Sequence, residues 1–106
     1  MVTIKLETEF MHGIIWTCDE DGIESPFPLV DDDETLTNLN DEAEKLFDEN
    51  YEFDSNDSPC HFNKETEKKN KDKMLHLVQK IKKRLAEIND GSFVVKDYIT
   101  DYYKKL

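Results

Sequence analysis

The first ten residues alternate between apolar and polar side chains, and this pattern limits the possible folds more than any other feature of the chain. One set of alternate positions is mostly apolar: Val2, Ile4, Leu6, Thr8 and Phe10. Because successive side chains of a strand point to opposite faces, the pattern predicts a strand with one buried face. The rest of the chain must therefore supply a layer that covers this face.

A second strand and a turn follow the first strand. Residues 11–13 interrupt the alternation, and residues 14–18 are predicted to form the second strand of a hairpin. Asp21 and Gly22 indicate a further tight turn, because both residue types tolerate a left-handed backbone. The prolines in residues 25–28 lack the backbone donor that a sheet requires, so this piece is predicted to be an edge or a loop.

Apolar residues at helical spacing predict two helices. The first spans about 35–51, and either Asp33 or Thr35 can cap its first turn. The second runs from about 63 to 89, with a lysine-rich first half and Gly91 placed as a left-handed C-cap. Its apolar stripe consists of Met74, Val78, Ile81, Leu85 and Ile88.

The C-terminal part completes the predicted fold. Residues 92–98 predict a last strand that joins the N-terminal sheet, and residues 99–106 either extend it or form a short helix. We therefore predict a single α+β domain over residues 1–106, with a small antiparallel sheet (the N-terminal hairpin plus a C-terminal strand) and two helices packed on one face. No apolar run resembles a signal peptide or a membrane span, which predicts a cytoplasmic protein without a membrane partner.

The residue pattern disfavours catalysis and metal binding. The three glycines do not lie in a phosphate-binding loop, and there is no G-x-S-x-G nucleophile turn. The ligand positions of an EF-hand loop around Asp19 and Asp21 are not filled. Four potential zinc ligands lack the paired spacing of zinc sites: His12, Cys18, Cys60 and His61. We predict no enzymatic activity, no cofactor and no metal.

Charge is distributed unevenly along the chain, whose net charge is −11. Residues 1–63 contain 18 acidic and 2 basic residues, a net charge of −16, whereas residues 64–84 carry a net charge of +6. Such a distribution favours either attraction of a charged partner or an acidic face that is partly matched by a basic helix of the same chain. It disfavours direct binding of nucleic acid, whose phosphates most of the surface would repel.

The acidic charge is concentrated in residues 31–57, which contain 12 acidic residues and one basic residue, Lys45. Apolar residues are threaded through this stretch, so it is foldable, unlike a purely acidic tail. The sequence therefore predicts a fixed, strongly negative surface and a basic protein partner. The highest density of acidic and aromatic residues is the run Leu46-Phe47-Asp48-Glu49-Asn50-Tyr51-Glu52-Phe53-Asp54.

In size, acidity and α+β make-up, and in this acidic and aromatic run, the chain resembles the small immunity proteins with which bacteria neutralise toxins. The resemblance implies inhibition of a toxin, a nuclease in this case, by occlusion of its basic active-site cleft. Carboxylates would take the place of substrate phosphates, and aromatic side chains would anchor the interface. The predicted partner-binding residues are Asp48, Glu49, Tyr51, Glu52, Phe53, Asp54 and Asp57, together with Asp31, Asp32 and Asp33.

Two other functions use the same features of the sequence. One is a phage- or plasmid-encoded nucleic-acid mimic that inhibits a host defence enzyme, which would need carboxylates spaced along an extended surface. The other is a regulatory adaptor whose lysine-rich helix at 64–84 contacts an acidic partner. The sequence leaves open whether the chain is a monomer or a homodimer.

Overall fold

The fold consists of a small sheet, a layer of helices and a short separate ladder. We describe a computed structural model that covers residues 1–52 and 61–106. Its elements follow in the order β1 (Val2–Leu6), β2 (Ile15–Cys18), α1 (Pro28–Asp31), α2 (Glu34–Asp48), β3 (Tyr51–Glu52), β4 (His61–Phe62), α3 (Lys64–Lys69), α4 (Lys71–Ile88), β5 (Phe93–Asp97) and α5 (Thr100–Lys104). The predicted α+β class is confirmed.

The alternating N-terminal strand β1 is the central strand of the three-stranded sheet, between β2 and β5. Strands β1 and β2 are antiparallel, with Leu6 opposite Ile15, as the hairpin prediction requires. Strand β5 joins the same sheet but runs parallel to β1, so the sheet is mixed and the prediction of a purely antiparallel sheet is wrong. The strand is parallel because the chain leaves α4 next to the start of β1, where the Val2 amide donates to the Ser92 carbonyl at 3.3 Å. Strand β5 therefore starts beside the start of β1.

The two long helices, α2 and α4, supply the layer that the alternation of β1 demands. Ile4 and Leu6 of β1 are fully buried, whereas Lys5 between them is partly exposed. Both isoleucine and leucine belong to one core that combines the sheet with the apolar stripes of the helices. The members that α2 and α4 contribute to this core are Leu36, Ala43, Leu46, Phe47, Met74, Leu77, Val78, Ile81 and Leu85.

The helices differ from the predicted ones at three places, and one open alternative is decided. The first predicted helix, about 35–51, ends as α2 at Asp48, and Tyr51 belongs to β3. The second predicted helix is divided at Asn70 into α3 and α4, and Asn63 caps α3 by accepting from the amides of Glu65 and Thr66. Proline at the first position of α1 starts a short helix where an edge or loop was predicted. At the C-terminus the helical alternative is correct, because Asp97 accepts from the Ile99 amide at 2.8 Å and so starts α5.

The lysine-rich α3 is not a fully solvated segment, because Glu67 is buried. Its carboxylate accepts a hydrogen bond from the Tyr102 hydroxyl at 2.7 Å, which ties α3 to α5. No helix within the described ranges is both long enough and apolar enough to cross a membrane.

Candidate functional site

One side of α2 lies against the segment that connects β1 to β2. The Asn40 side-chain oxygen accepts from the backbone amides of Ile14 at 2.7 Å and Ile15 at 3.1 Å. Two turns further along α2, Asp48 accepts from the Met11 amide at 3.2 Å. Glu44 lies between Asn40 and Asp48 on the same side, because residues four apart share a face of a helix.

The contact between α2 and the connecting segment requires a glycine at position 13. A Cβ atom added to Gly13 would lie 2.3 Å from Asn40 Nδ2 and 2.5 Å from its Oδ1. No side chain fits in this space unless Asn40 moves. The close approach fixes α2 and its acidic residues relative to the sheet.

A polar recess of about 480 Å³ opens beside this contact. Glu24 and Asp31 contribute carboxylates to its lining, and Asn40 and Thr17 contribute neutral polar groups. His12 also lines the recess; its Nε2 lies 3.1 Å from a Glu24 carboxylate oxygen. The recess is therefore a concave, polar part of the surface that carries two carboxylates and one histidine.

We call Glu24, Asp31, Glu44 and Asp48 the acidic flank. Among the residues that the structure describes, no lysine or arginine lines the recess beside Glu24 and Asp31. Only two basic residues occur in residues 1–63, and both lie elsewhere. Lys5 is on the opposite face of the sheet, where it pairs with Glu7 at 2.9 Å and lies 5.1 Å from the centre of the Trp16 ring. The second, Lys45, faces α4.

The three acidic residues of the 31–33 run differ in their roles. Asp33 is the N-cap of α2, accepting from the Leu36 amide at 2.9 Å, and it also accepts from Arg84 of α4 at 2.7 Å. The hydrogen bonds from Arg84 are the main reason why the pKa of Asp33 is lowered. Asp31 accepts from the Phe27 amide at 2.6 Å but stays exposed, and Asp32 is exposed as well. We therefore retain Asp31 and Asp32 as surface candidates and assign Asp33 to the scaffold.

The predicted aromatic anchor Tyr51 is partly buried within a ring cluster. Its ring centre lies 4.3 Å from that of Phe10, 5.1 Å from that of Phe62 and 5.7 Å from that of Phe47. This packing explains Tyr51 without a partner protein. Glu49 is exposed at the C-cap of α2.

The remaining predicted site residues cannot be placed on this surface. Glu52 belongs to strand β3. Phe53, Asp54 and Asp57 lie outside the described residues. The predicted patch from Asp48 to Asp57 is thus represented by its first two acidic residues, and the structure adds Glu24 and Glu44 beside Asp48.

The turn around Asp19 has a structural explanation of its own. The Asp19 carboxylate accepts from the amides of Asp21 at 2.9 Å and Ile23 at 3.0 Å. The hydrogen bond from Ile23 is the main cause of the lowered pKa of Asp19. Within residues 1–52 and 61–106, no three His, Cys, Asp or Glu side chains lie together in a way that could hold a metal ion.

Sequence reasoning missed Glu24, Glu44 and Asn40 as members of one surface. Neither Glu24 nor Asn40 belongs to a motif in the sequence. A partial signal was available for Glu44, because it shares a helical face with Asp48 and Asn40. No protein-family model, curated protein or solved structure matches this chain.

Proposed function

We propose that this chain is an acidic binding protein that neutralises a bacterial toxin, a nuclease, by occupying its basic active-site cleft. The observation that carries the proposal is the acidic flank. Glu24 and Asp31 line a recess to which the described residues contribute no lysine or arginine, and Glu44 and Asp48 lie on the side of α2 that faces the β1–β2 connection. The resemblance to immunity proteins supplies the class of partner. The proposal places the complex in the cytoplasm of the producing cell.

The geometry of the flank supports binding to a basic surface. Asn40 and Gly13 hold α2 against the sheet, so Glu44 and Asp48 are presented from a rigid element rather than from a mobile tail. Fixed charges need little reorganisation when a partner docks, which favours affinity. A lysine or arginine side chain of the partner would fit beside Glu24 and Asp31 in the recess.

The separation of charge across the molecule supports fast association. Glu24 and Asp31 line the recess, whereas Lys73 and Lys80 of α4 line a different groove, between α2 and α4. A cleft lined by lysine and arginine would be attracted to the flank at long range, which raises the association rate. Rapid capture suits a protein that must neutralise a lethal enzyme.

The test uses two variants with identical net charge. The flank variant carries Glu24→Gln, Asp31→Asn, Glu44→Gln and Asp48→Asn, which retain the oxygen acceptors for the Phe27 and Met11 amides. The matched control carries four neutralisations of exposed acids on α3, α4 and α5: Glu65→Gln, Asp72→Asn, Glu87→Gln and Asp101→Asn.

Each protein serves as bait in a pull-down from the native host, with quantitative mass spectrometry. We expect wild type and the control to retain a basic toxin domain, and the flank variant to lose it. The association rate with the purified partner should fall about ten-fold or more for the flank variant at low salt, and wild-type binding should weaken as salt rises.

Three results would contradict the proposal. Equal loss by both variants would show that net charge acts without a localised site. A retained partner that is acidic would remove the electrostatic argument. A retained partner that is a host restriction or CRISPR enzyme would instead support the nucleic-acid mimic.

A further inference from the structure

A groove of about 400 Å³ runs between α2 and α4 on another side of the molecule. The two helices are antiparallel, since Arg84 near the end of α4 contacts Asp33 at the start of α2. At 100° per residue, the groove side of α2 lies roughly 130° around the helix axis from the acidic flank. The groove is lined by Glu42, Lys45, Leu46, Glu49, Lys73, His76, Leu77 and Lys80.

The floor of the groove is apolar. Leu46 and Leu77 form it, with exposed fractions of 9% and 8%, the highest among the buried core residues of α2 and α4. These two side chains cover the core at the base of the groove, and their exposed parts can contact a molecule bound in it. An apolar floor between charged walls is typical of grooves that receive an amphipathic helix.

The wall formed by α4 is basic. Lys73, His76 and Lys80 follow one another at helical spacing, and all three are exposed. Lys82 and Arg84, which lie further along α4, pair with Asp97 and Asp33 respectively. By contrast, Lys73 and Lys80 form no ion pair with any carboxylate in the described part of the chain.

The wall formed by α2 alternates in charge, with Lys45 between Glu42 and Glu49. On each wall, the first and last lining residues are seven positions apart in the sequence, which corresponds to about 10 Å or two helical turns. Side chains that repeat once per turn match this spacing when they come from a third helix lying along the groove. An extended strand, with side chains about 6.6 Å apart on one face, would not keep this register.

We propose that this groove binds an acidic amphipathic helix of another protein. An apolar side chain of that helix packs on Leu46 and Leu77, and its carboxylates on the edge facing α4 pair with Lys73 and Lys80. A basic residue on its other edge meets Glu42 or Glu49. This site is separate from the acidic flank, so it takes a partner of opposite charge and does not depend on the proposed toxin.

The experiment selects peptides from a library with the full chain as bait. Each peptide has about 18 residues, a constant leucine stripe, and flanking positions that vary among Glu, Gln and Lys. We expect Glu to be enriched about ten-fold over Lys at the positions on one side of the stripe. The dissociation constant of the best peptide is then measured against two variants of the chain.

The groove variant carries Lys73→Glu and Lys80→Glu, and the matched control carries Lys104→Glu and Lys105→Glu, exposed lysines at the C-terminus. Circular dichroism checks that both fold. We expect the groove variant to weaken binding about ten-fold or more, and the control to change it less than about two-fold.

Several outcomes overturn the proposal: no enrichment over the unselected library, enrichment of Lys, or equal effects of the two variants. Sedimentation measures whether a second copy of the chain occupies the groove instead. If the chain dimerises and the groove variant alone separates the dimer, a second copy covers the groove and the proposal is wrong.

Discussion

Gly13 and Asn40 provide the sharpest test of the contact that fixes the acidic flank. In Gly13→Ala, the new Cβ atom would meet the Asn40 side chain at 2.3 to 2.6 Å. Asn40 must then turn away and release the amides of Ile14 and Ile15. The φ angle of Gly13 is not positive, so alanine itself suits the backbone.

The magnitudes follow from the hydrogen bonds that are lost. A buried amide left without a partner costs about 1–3 kcal/mol, so Gly13→Ala should lower the free energy of unfolding by about 2–4 kcal/mol. Asn40→Ala loses the same two hydrogen bonds and should cost about 2–3 kcal/mol. In the double variant the clash is absent, so Gly13→Ala should then be neutral or stabilise by about 0.5 kcal/mol.

Urea unfolding of the four proteins of this double-mutant cycle, followed by far-ultraviolet circular dichroism and Trp16 fluorescence, measures the coupling. We expect a coupling free energy of about 2–4.5 kcal/mol between the two positions, the difference between the cost of Gly13→Ala with asparagine and with alanine at residue 40. If Gly13→Ala costs the same whether residue 40 is asparagine or alanine, the close contact does not hold α2 in place and the reasoning fails.

Three further predictions concern stability. Asp33→Asn keeps the helix cap, whereas Asp33→Ala loses it and should cost about 1 kcal/mol more in urea unfolding. Arg84 lowers the pKa of Asp33 in the folded state, so the contribution of Asp33 to stability is present above the ordinary carboxyl pKa and is lost as pH falls through the lower folded value. Asp33→Asn should therefore reduce the decrease of the free energy of unfolding at acidic pH. An unchanged acid dependence of this free energy would contradict the prediction. Burial and the hydrogen bond to Glu67 raise the pKa of Tyr102 from 10.0 to about 12. The contribution of Tyr102 to stability is therefore present below the unfolded pKa and is lost as pH rises through the folded value. Tyr102→Phe should make the free energy of unfolding depend less on pH in that range. Ile81 is fully buried, so Ile81→Ala should cost about 2–5 kcal/mol, and a loss below about 1 kcal/mol would contradict its place in the core.

The candidate surface shows where sequence reasoning stops being sufficient. Charge density alone directed attention to residues 48–57, because acidic and aromatic residues coincide there. In the structure, however, Tyr51 packs against Phe10, Phe47 and Phe62. Asp33, in the 31–33 run, accepts a hydrogen bond from Arg84, which lies 51 residues further along the chain. The contacts of Tyr51 with Phe10 and of Asp33 with Arg84 join distant parts of the chain, and no local pattern encodes them.

The sequence by itself determined the types and approximate positions of the main elements. Period two over the first residues and helical spacing in the two apolar stripes are set by neighbours along the chain, so β1, β2, α2 and α4 could be predicted from periodicity. The lopsided charge was equally readable, since it is a matter of counting. Local chemistry also placed the left-handed backbone at Gly22 and Gly91.

Only the tertiary structure decided how these pieces meet. The direction of β5 depends on where α4 ends relative to β1, and this is set by packing rather than by the residues of β5 themselves. Asn40 holds α2 against the β1–β2 connection at Gly13, and Glu24 and Asp31 line a recess beside this contact. In the groove between α2 and α4, Lys73 and Lys80 lie beside the antiparallel α2 without forming ion pairs with its carboxylates. Separation or pairing of charges is a property of distances in space, and these exist only once the core has formed.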